Sequence, residues 1–230
     1  MYNIDEIKNR IILGDAFEEL KKIPDESIDL IITDPPYGVN YKGGQHSLGE
    51  KNVISGDEKF DYRSLIKECY RILKIGGGGM YMFYADGKEN DIFPIDNFEK
   101  HQVLIWYKLA KVGHGDFLAR YKHNYEPILY LIKKSPTKWR GLNNQVNVFM
   151  DFVKENILHP TQKPLKLIKK LIENSSDEND IVLDPFIGSG TTAVAAKILK
   201  RNYIGIEIDK NYVELTNQRL KSYDTSNDKL

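Results

Sequence analysis

The sequence predicts an α/β protein with a mainly parallel sheet that is covered by helices on both faces. Apolar runs of strand length alternate with amphipathic stretches of helix length along most of the chain. Two of these runs end directly on an Asp-Pro dipeptide, at 34–35 and 184–185, and the second continues through a glycine-rich turn into a helix-like stretch. Strands that alternate with helices imply a parallel sheet with both faces buried.

The predicted strands are short and rich in Ile, Val, Leu and aromatic residues. They are RIILG (10–14), IDLIIT (28–33), MYMFYA (80–85), QVLIWYK (102–108), EPILYLIK (126–133), DIVLD (180–184) and YIGIEI (203–208). Apolar spacing predicts helices at DAFEELKKI (15–23), YRSLIKECYRIL (62–73), PLKLIKKLIE (164–173) and TTAVAAKILK (191–200). The last two strands have no helix long enough to cross between them in parallel, so we expect an antiparallel pair at a sheet edge.

The composition is that of a soluble globular chain, and its length suits one α/β domain or two small ones. Of the 230 residues, 41% are hydrophobic and 29% are charged, and no apolar run approaches the ~20 residues that a membrane helix needs. The charged N-terminus lacks a signal-peptide core. A single cysteine, Cys69, argues against a disulfide framework or a cysteine-rich zinc site, and no other metal-ligand cluster is evident. We therefore expect a cytoplasmic protein without a membrane segment or a metal.

The net charge is zero, but residues 100–175 hold 14 Lys and Arg against 5 Asp and Glu. This basic segment is also rich in Trp and Tyr, which makes it a candidate surface for nucleic acid. The alternative, a solvated charged face over an ordinary core, remains open from composition alone. Two polar, irregular stretches, 40–60 and 134–158, have the length of binding loops, and we expect the tail 222–230 to be disordered.

The segment ITDPPYGVNY (32–41) stops a buried strand on Asp34-Pro35-Pro36-Tyr37. Two prolines end the sheet ladder because they lack the amide N–H. The prolines do not explain the acid before them or the aromatic ring after them. Both side chains would emerge together at the edge of the sheet where α/β proteins bind ligands.

The segment LDPFIGSGTTAVAA (183–196) joins a strand to a helix through Gly188, Ser189 and Gly190. Glycines allow a tight turn and close approach of a ligand, and the following helix N-terminus favours an anionic group. Glu207, at the end of the next strand, can accept hydrogen bonds from a ribose diol. Together these features indicate a nucleoside-cofactor site, although the same spacing satisfies the loose dinucleotide fingerprint of an NAD enzyme and also suits a structural turn.

Both segments together resemble the amino-methylating DNA methyltransferases, which transfer a methyl group from S-adenosyl-L-methionine to adenine N6 or cytosine N4. HPTQKP (159–164) is similar to a third element of this family. Because the catalytic motif precedes the cofactor loop, the chain resembles the circularly permuted β subgroup. The resemblance implies a Rossmann-like methyltransferase fold with a mainly parallel seven-stranded sheet and an antiparallel edge strand, entered at its third strand, RIILG. It also implies a single domain, 1–221, with a short target-recognition insertion at about 134–158.

The resemblance assigns roles to individual residues. The catalytic set is Asp34, Pro35, Pro36 and Tyr37, in which the Asp34 carboxylate and the Pro35 carbonyl accept the amino hydrogens and Tyr37 stacks on the flipped-out base. The cofactor-binding set is Asp15, Ala16, Asp34, His159, Thr161, Lys163, Asp184, Pro185, Phe186, Gly188, Ser189, Gly190, Thr191, Thr192, Glu207 and Ile208. Asp15 is expected at the cofactor adenine, and His159, Thr161 and Lys163 near the methionine carboxylate. The DNA-binding set in the basic segment is Lys133, Lys134, Lys138 and Arg140.

The leading hypothesis is a site-specific DNA adenine-N6 methyltransferase that acts on double-stranded DNA, either as part of a restriction-modification system or as a solitary enzyme. Asp before Pro-Pro-Tyr is commoner in adenine enzymes of the family, whereas Ser is commoner in cytosine-N4 enzymes. Cytosine-N4 methylation and a non-catalytic DNA-binding partner subunit of the same fold remain alternatives. Members of this subgroup are often dimers, so a homodimer is a candidate assembly, and a cognate restriction endonuclease is a further candidate partner.

Overall fold

The structure is a computed structural model that describes residues 1–37, 60–108, 124–150 and 162–227. The strands are β1 (Arg10–Leu13), β2 (Leu30–Thr33), β3 (Gly79–Phe83), β4 (Lys100–Tyr107), β5 (Tyr125–Ile132), β6 (Val148–Phe149), β7 (Ile181–Asp184) and β8 (Asn202–Glu207). The helices are α1 (Ile4–Ile7), α2 (Ala16–Leu20), α3 (Tyr62–Ile72), α4 (Glu89–Ile92), α5 (Leu165–Ser175), α6 (Thr191–Ile198) and α7 (Lys210–Asn227).

The strands form one sheet in the order β1-β8-β7-β2-β3-β5-β4-β6. Strand β5 runs antiparallel to both of its neighbours, and every other pairing among the described strands is parallel. The mainly parallel Rossmann-like fold is therefore confirmed. The first strand of the chain pairs with the last, Ile11 beside Gly205, which is the closure that a permuted chain requires.

Three details of the predicted sheet are wrong. The sheet has eight strands, because the two-residue β6 adds to the outside of β4. The antiparallel strand is β5, inside the sheet rather than at its edge. The last two strands, β7 and β8, are parallel, and the eight-residue α6 crosses between them. A helix of eight residues is ~12 Å long, enough to run back along strands of this length.

The two faces of the sheet carry separate apolar layers. Side chains alternate along β2, with Ile31 on one face and Leu30 and Ile32 on the other. The first face packs against α2 and α3, and the second packs against α5 and α6. Cys69 of α3 is fully buried in the first layer, and burial raises the pKa of its thiol, which is unsuited to a cysteine nucleophile.

The chain ends in a helix, α7, that the sequence analysis did not predict. Helix α7 continues to Asn227, so most of the segment expected to be a disordered tail is helical. Tyr223 packs partly buried against the second apolar layer, which gives the last turns a tertiary contact. In the part of the chain that the structure describes, no helix has the length and hydropathy needed to cross a membrane.

Candidate active site

The functional motifs meet at one edge of the sheet, the edge at which the parallel strands end, called here the carboxyl edge. Asp34 follows β2 directly, Asp184 ends β7 and Glu207 ends β8. Pairing of Ile31 with Leu183 places the ends of β2 and β7 side by side. Strand β5 begins at the same edge because it is antiparallel, and the pairing of Phe83 with Ile128 carries its first residues just beyond the end of β3.

The most concentrated chemistry at this edge is a cluster of four side chains, Asp34, Tyr37, Glu126 and Lys163, called here the acid-lysine cluster. The Lys163 ammonium lies 2.6 Å from Asp34 Oδ2 and 2.6 Å from Glu126 Oε1. The Tyr37 hydroxyl lies 2.5 Å from Asp34 Oδ1 and 2.5 Å from Glu126 Oε1. The side chains of Lys163 and Glu126 are each only 9% exposed, so the ion pairs lie largely out of water.

The members of the cluster come from three separate parts of the sequence, since Asp34 and Tyr37 belong to one motif. Two prolines hold the chain after Asp34 in an extended turn, and the Tyr62 hydroxyl of α3 donates to the Pro36 carbonyl at 3.3 Å. Glu126 projects from the start of β5, and Lys163 lies just before α5, which Pro164 caps. Lys108, directly after β4, forms a second ion pair with Glu126 Oε2 at 2.8 Å.

The two carboxyls of the cluster differ in how readily they ionise. Burial raises the pKa of Asp34, and the Glu126 charge raises it further, outweighing the opposite effect of Lys163. Burial also disfavours the ionised form of Glu126, but Lys163 and Lys108 together lower the pKa of Glu126 to about 2. The charge is therefore held on Glu126, and Asp34 is the carboxyl that can take up a proton.

The Tyr37 hydroxyl has only one proton, although it contacts two carboxyl oxygens. It can make both short bonds together only if one carboxyl carries a proton and donates to it. Because burial raises the pKa of Asp34, Asp34 rather than Glu126 is the carboxyl that more readily takes up a proton. Burial together with the charges of Asp34 and Glu126 raises the pKa of Tyr37 well above its usual value, so the phenol stays neutral.

The glycine-rich turn lies next to this cluster, between β7 and α6. Gly188 has a φ of +50° and Gly190 a φ of +83°, a region that side chains disfavour. A Cβ built on Gly190 would lie 2.5 Å from the Thr216 side chain, whereas one built on Gly188 would meet no described heavy atom within 4 Å. Gly190 is thus fixed by packing, and Gly188 presents open backbone.

Buried hydrogen bonds hold the turn in shape. Thr192 donates to Asp184 Oδ2 at 2.7 Å, and the amide of Phe186 donates to Asp184 Oδ1 at 3.1 Å. Burial raises the pKa of Asp184 to about 7, and the charges of Asp34 and Glu207 add to this. Glu207 accepts from the Gly188 amide at 2.9 Å, so its carboxylate braces the glycine turn. Arg219 of α7 donates to the Ser189 carbonyl at 2.9 Å.

The end of β1 completes a surface that fits the adenosyl part of S-adenosyl-L-methionine. Asp15 caps α2, with Oδ1 accepting from the amides of Phe17 and Glu18. Both of these bonds use Oδ1, and Oδ2 is a candidate acceptor for an adenine amino group. Leu13 and Ile208 are 51% and 61% exposed, which offers apolar surface beside Asp15. With the open backbone at Gly188, these residues fit a nucleoside cofactor.

The remaining predicted site residues fall into three groups. Ala16, Pro185, Phe186, Thr191 and Thr192 lie at the carboxyl edge or in the first turn of α6. His159 and Thr161 lie outside the described residues, as does the second part of the predicted target-recognition insertion. Lys163, expected near the methionine carboxylate, is placed by the structure between Asp34 and Glu126.

The four residues predicted to bind DNA lie at the opposite, amino edge of the sheet, a strand length or about 15 Å away. Lys133 donates to the Leu73 carbonyl at 2.7 Å, and Lys138 lies 2.7 Å from Asp180 Oδ2. Arg140 forms a bidentate pair with Asp177 at 2.9 Å. Lys134 is exposed. Three of the four positive charges are thus engaged within the protein, which weighs against the predicted role.

Sequence reasoning missed Glu126 and Lys108 as members of the site. The available signal was an acidic residue opening an otherwise apolar strand, EPILYLI. It becomes informative only once β5 is known to be antiparallel, because that orientation brings the start of β5 to the carboxyl edge. Among the described residues, no group of three or more His, Cys, Asp or Glu is arranged to hold a metal ion.

Comparison with known proteins agrees with this geometry. Residues 28–218 match a protein family described as DNA methylase, of the N6 and N4 type. The chain is 33% identical to the Type II methyltransferase M.HinfI of Haemophilus influenzae, over 95% of this chain and 70% of that protein. It is 34% identical to the DNA adenine methyltransferase YhdJ of Escherichia coli strain K12, over 91% and 82%. The solved structure of an M1.HpyAVI–SAM complex superposes with a TM-score of 0.70 at 31% identity, covering 92% and 99%.

Proposed function

The chain belongs to the N6/N4 DNA methylase family, and from this premise we propose that it transfers the methyl group of S-adenosyl-L-methionine to the N6 amino group of an adenine in DNA. The observation that carries this proposal is the meeting of Asp34 and the glycine turn at one sheet edge. The partly buried carboxyl of Asp34, whose pKa is raised, lies at the same edge of the sheet as the open backbone of Gly188.

The cofactor would be held by residues that the structure places around this edge. Asp15 Oδ2 would accept from the adenine amino group, Leu13 and Ile208 would cover the ring, and Gly188 would allow close approach. When bound, the cofactor supplies an electrophilic methyl group. The residues of the protein bind and orient the two reactants, and positioning of this kind accounts for much of the rate in a direct transfer.

Asp34 and its neighbours would act on the amino nitrogen of the target base. The lone pair of this nitrogen is delocalised into the ring, so acceptors at its hydrogens make it a better nucleophile. Asp34, when ionised, accepts one hydrogen, and the Pro35 carbonyl is the candidate for the second. The nitrogen would bond to the methyl carbon as the bond between that carbon and the cofactor sulfur breaks, which would leave a neutral thioether. The nitrogen then releases one proton, and a carboxylate whose pKa is raised by burial is a suitable acceptor for it.

Adenine is favoured over cytosine by the relatives and by the motif. YhdJ is named as a DNA adenine methyltransferase, and Asp34 is the residue type commoner in the adenine enzymes. The cytosine-N4 alternative rests on the family alone. A base in a duplex must leave the stack to reach a buried carboxyl, at a cost of roughly a few kcal/mol, and the Tyr37 ring is the candidate stacking surface.

The biological setting follows from the substrate. M.HinfI is named as a Type II methyltransferase, which supports a role in restriction-modification with a cognate endonuclease as a functional partner. A DNA substrate is consistent with a cytoplasmic location. A homodimer remains part of the proposal on the basis of the subgroup alone.

A labelling experiment tests the proposed function. Purified protein is incubated with methyl-labelled S-adenosyl-L-methionine and, separately, unmethylated plasmid DNA, RNA and a protein mixture. Label should enter DNA alone, and Asp34→Asn should abolish incorporation while calorimetry still detects cofactor binding. Label in RNA or protein, or undiminished transfer by the Asp34→Asn variant, would refute the proposal.

A further inference from the structure

We propose that Glu126 and Lys163 are positioning residues for the methyl transfer: Glu126 holds the Lys163 ammonium against Asp34, and this pair sets the protonation state of the catalytic carboxyl. The inference rests on the proposed function, in which Asp34 contacts the reacting amino group. It assigns a role to Glu126, which no sequence motif marks, and a different role to Lys163 from the cofactor contact expected from the sequence.

The geometry of Lys163 carries the inference. Its ammonium is equidistant, at 2.6 Å, from one oxygen of each carboxyl. It also lies 3.3 Å from the Tyr37 hydroxyl and 4.9 Å from the centre of the Phe83 ring. An ammonium enclosed in this way has little freedom to reach another partner, and its position depends on both carboxyls. Among the described residues, removing the Glu126 charge would leave Asp34 as the only close carboxylate partner of Lys163.

A purely structural role would not require this arrangement. Burying charges costs free energy, so an ion pair in a protein interior is weak evidence for stabilisation. The pair nevertheless lies against the carboxyl that the proposed chemistry uses. Two lysines, Lys108 and Lys163, hold Glu126 on its two oxygens, which keeps Glu126 ionised and leaves Asp34 as the carboxyl that exchanges a proton.

Charge balance explains why the negative charge of Glu126 and the positive charge of Lys163 are both needed. With Asp34 and Glu126 ionised, their two negative charges match those of Lys108 and Lys163. The amino nitrogen gains positive charge as it bonds to the methyl carbon, and it then releases one proton. Loss of the Glu126 charge would leave the site positive and draw Lys163 towards Asp34, opposing this step. Loss of the Lys163 charge would leave two neighbouring carboxyls, and Asp34 would hold its proton to higher pH.

The experiment measures kcat, KM and the pH dependence of kcat for the full-length protein acting on unmethylated plasmid DNA. Glu126→Gln should lower kcat roughly 10- to 100-fold, change the KM for S-adenosyl-L-methionine less than about threefold, and move the acidic limb of the pH profile to lower pH. Lys163→Met should move that limb to higher pH, and Lys163→Arg should restore it towards the wild-type position. The titratable groups facing Asp34 among the described residues are Tyr37, which stays neutral, Glu126 and Lys163, and Asp184 acts on it through its charge.

A matched control uses the other end of strand β2. The Asp29 carboxylate there is also buried and held by two lysines, Lys74 at 2.8 Å and Lys138 at 3.6 Å. Asp29→Asn should lower stability without moving the acidic limb. If Glu126→Gln does not fold, the positions of the acidic limb in the Lys163→Met and Lys163→Arg variants test the proposal instead.

Three outcomes would overturn the inference. One is unchanged kcat and pH profile in a folded Glu126→Gln variant. The second is a shift of the limb by Asp29→Asn as large as that by Glu126→Gln. The third is loss of cofactor binding by Lys163→Met with no shift of the limb. Failure of the proposed function is distinguishable, because the wild-type protein would then methylate no DNA.

Discussion

Alanine at Gly188, compared with alanine at Gly190, tests whether the glycine turn binds the cofactor or only shapes the chain. Both residues have positive φ, at +50° and +83°, so each substitution carries a left-handed strain of about 1–2 kcal/mol. Only Gly190→Ala adds a steric conflict, because its Cβ would lie 2.5 Å from Thr216, and overpacking costs about 1–3 kcal/mol more.

Gly190→Ala should therefore lose more stability than Gly188→Ala, whereas Gly188→Ala should lose more affinity for the cofactor. In thermal denaturation, Gly188→Ala should lower the melting temperature by roughly 2–8 °C, and Gly190→Ala by more, since 1 kcal/mol corresponds to about 2–4 °C at this size. In calorimetry with S-adenosyl-L-methionine, Gly188→Ala should weaken binding by about tenfold or more, or about 1.4 kcal/mol, because its methyl group enters the open side of the turn. A folded Gly188→Ala protein with wild-type affinity would show that the turn is structural.

Three further predictions follow from the same structure. Asp34→Asn should retain cofactor affinity within about threefold while turnover falls by roughly 10² or more; comparable losses in both would place Asp34 in cofactor binding instead. Because burial raises the pKa of Asp184 to about 7, its ionisation should make the free energy of unfolding fall as pH rises from about 4 to 7. Relative to wild type, Asp184→Asn should therefore gain free energy of unfolding as pH rises across that range, by a total on the order of 4 kcal/mol. Urea titrations at pH 4 to 8 measure this difference, and a difference that does not change with pH would contradict the prediction. Lys138→Gln combined with Arg140→Gln should leave the salt dependence of DNA binding unchanged, since both charges are paired internally; a slope that flattens by about 0.9 per charge would instead support the DNA surface predicted from the sequence.

The sequence predicted the elements of the central sheet well, because each strand is an apolar run between polar segments. It predicted the convergence of Asp34 and the glycine turn for the same reason, since parallel strands bring their ends to one edge. The direction of β5 could not be read from EPILYLIK, because a fully buried strand has the same apolar pattern in either orientation. Glu126 was missed as a direct consequence.

The basic segment shows a second limit of sequence reasoning. Lys133, Lys138 and Arg140 are prominent as positive charges, but their acidic partners are distant in the chain. Lys138 pairs with Asp180 and Arg140 with Asp177, about 40 residues away. Lys133 pairs with Glu26, 107 residues away. Local composition does not show whether a charge is paired across the fold. The α7 helix was missed for a different reason: its polar residues hide the few side chains, such as Leu220, that pack on the core.

The position of the transferred methyl group tests the central claim most directly. Unmethylated plasmid DNA is incubated with the protein and S-adenosyl-L-methionine, digested to nucleosides and analysed by mass spectrometry. We expect N6-methyldeoxyadenosine with the wild-type protein and none with the Asp34→Asn variant. N4-methyldeoxycytidine without N6-methyldeoxyadenosine would contradict the choice of base, and no methylated nucleoside across DNA of diverse sequence would contradict the function itself.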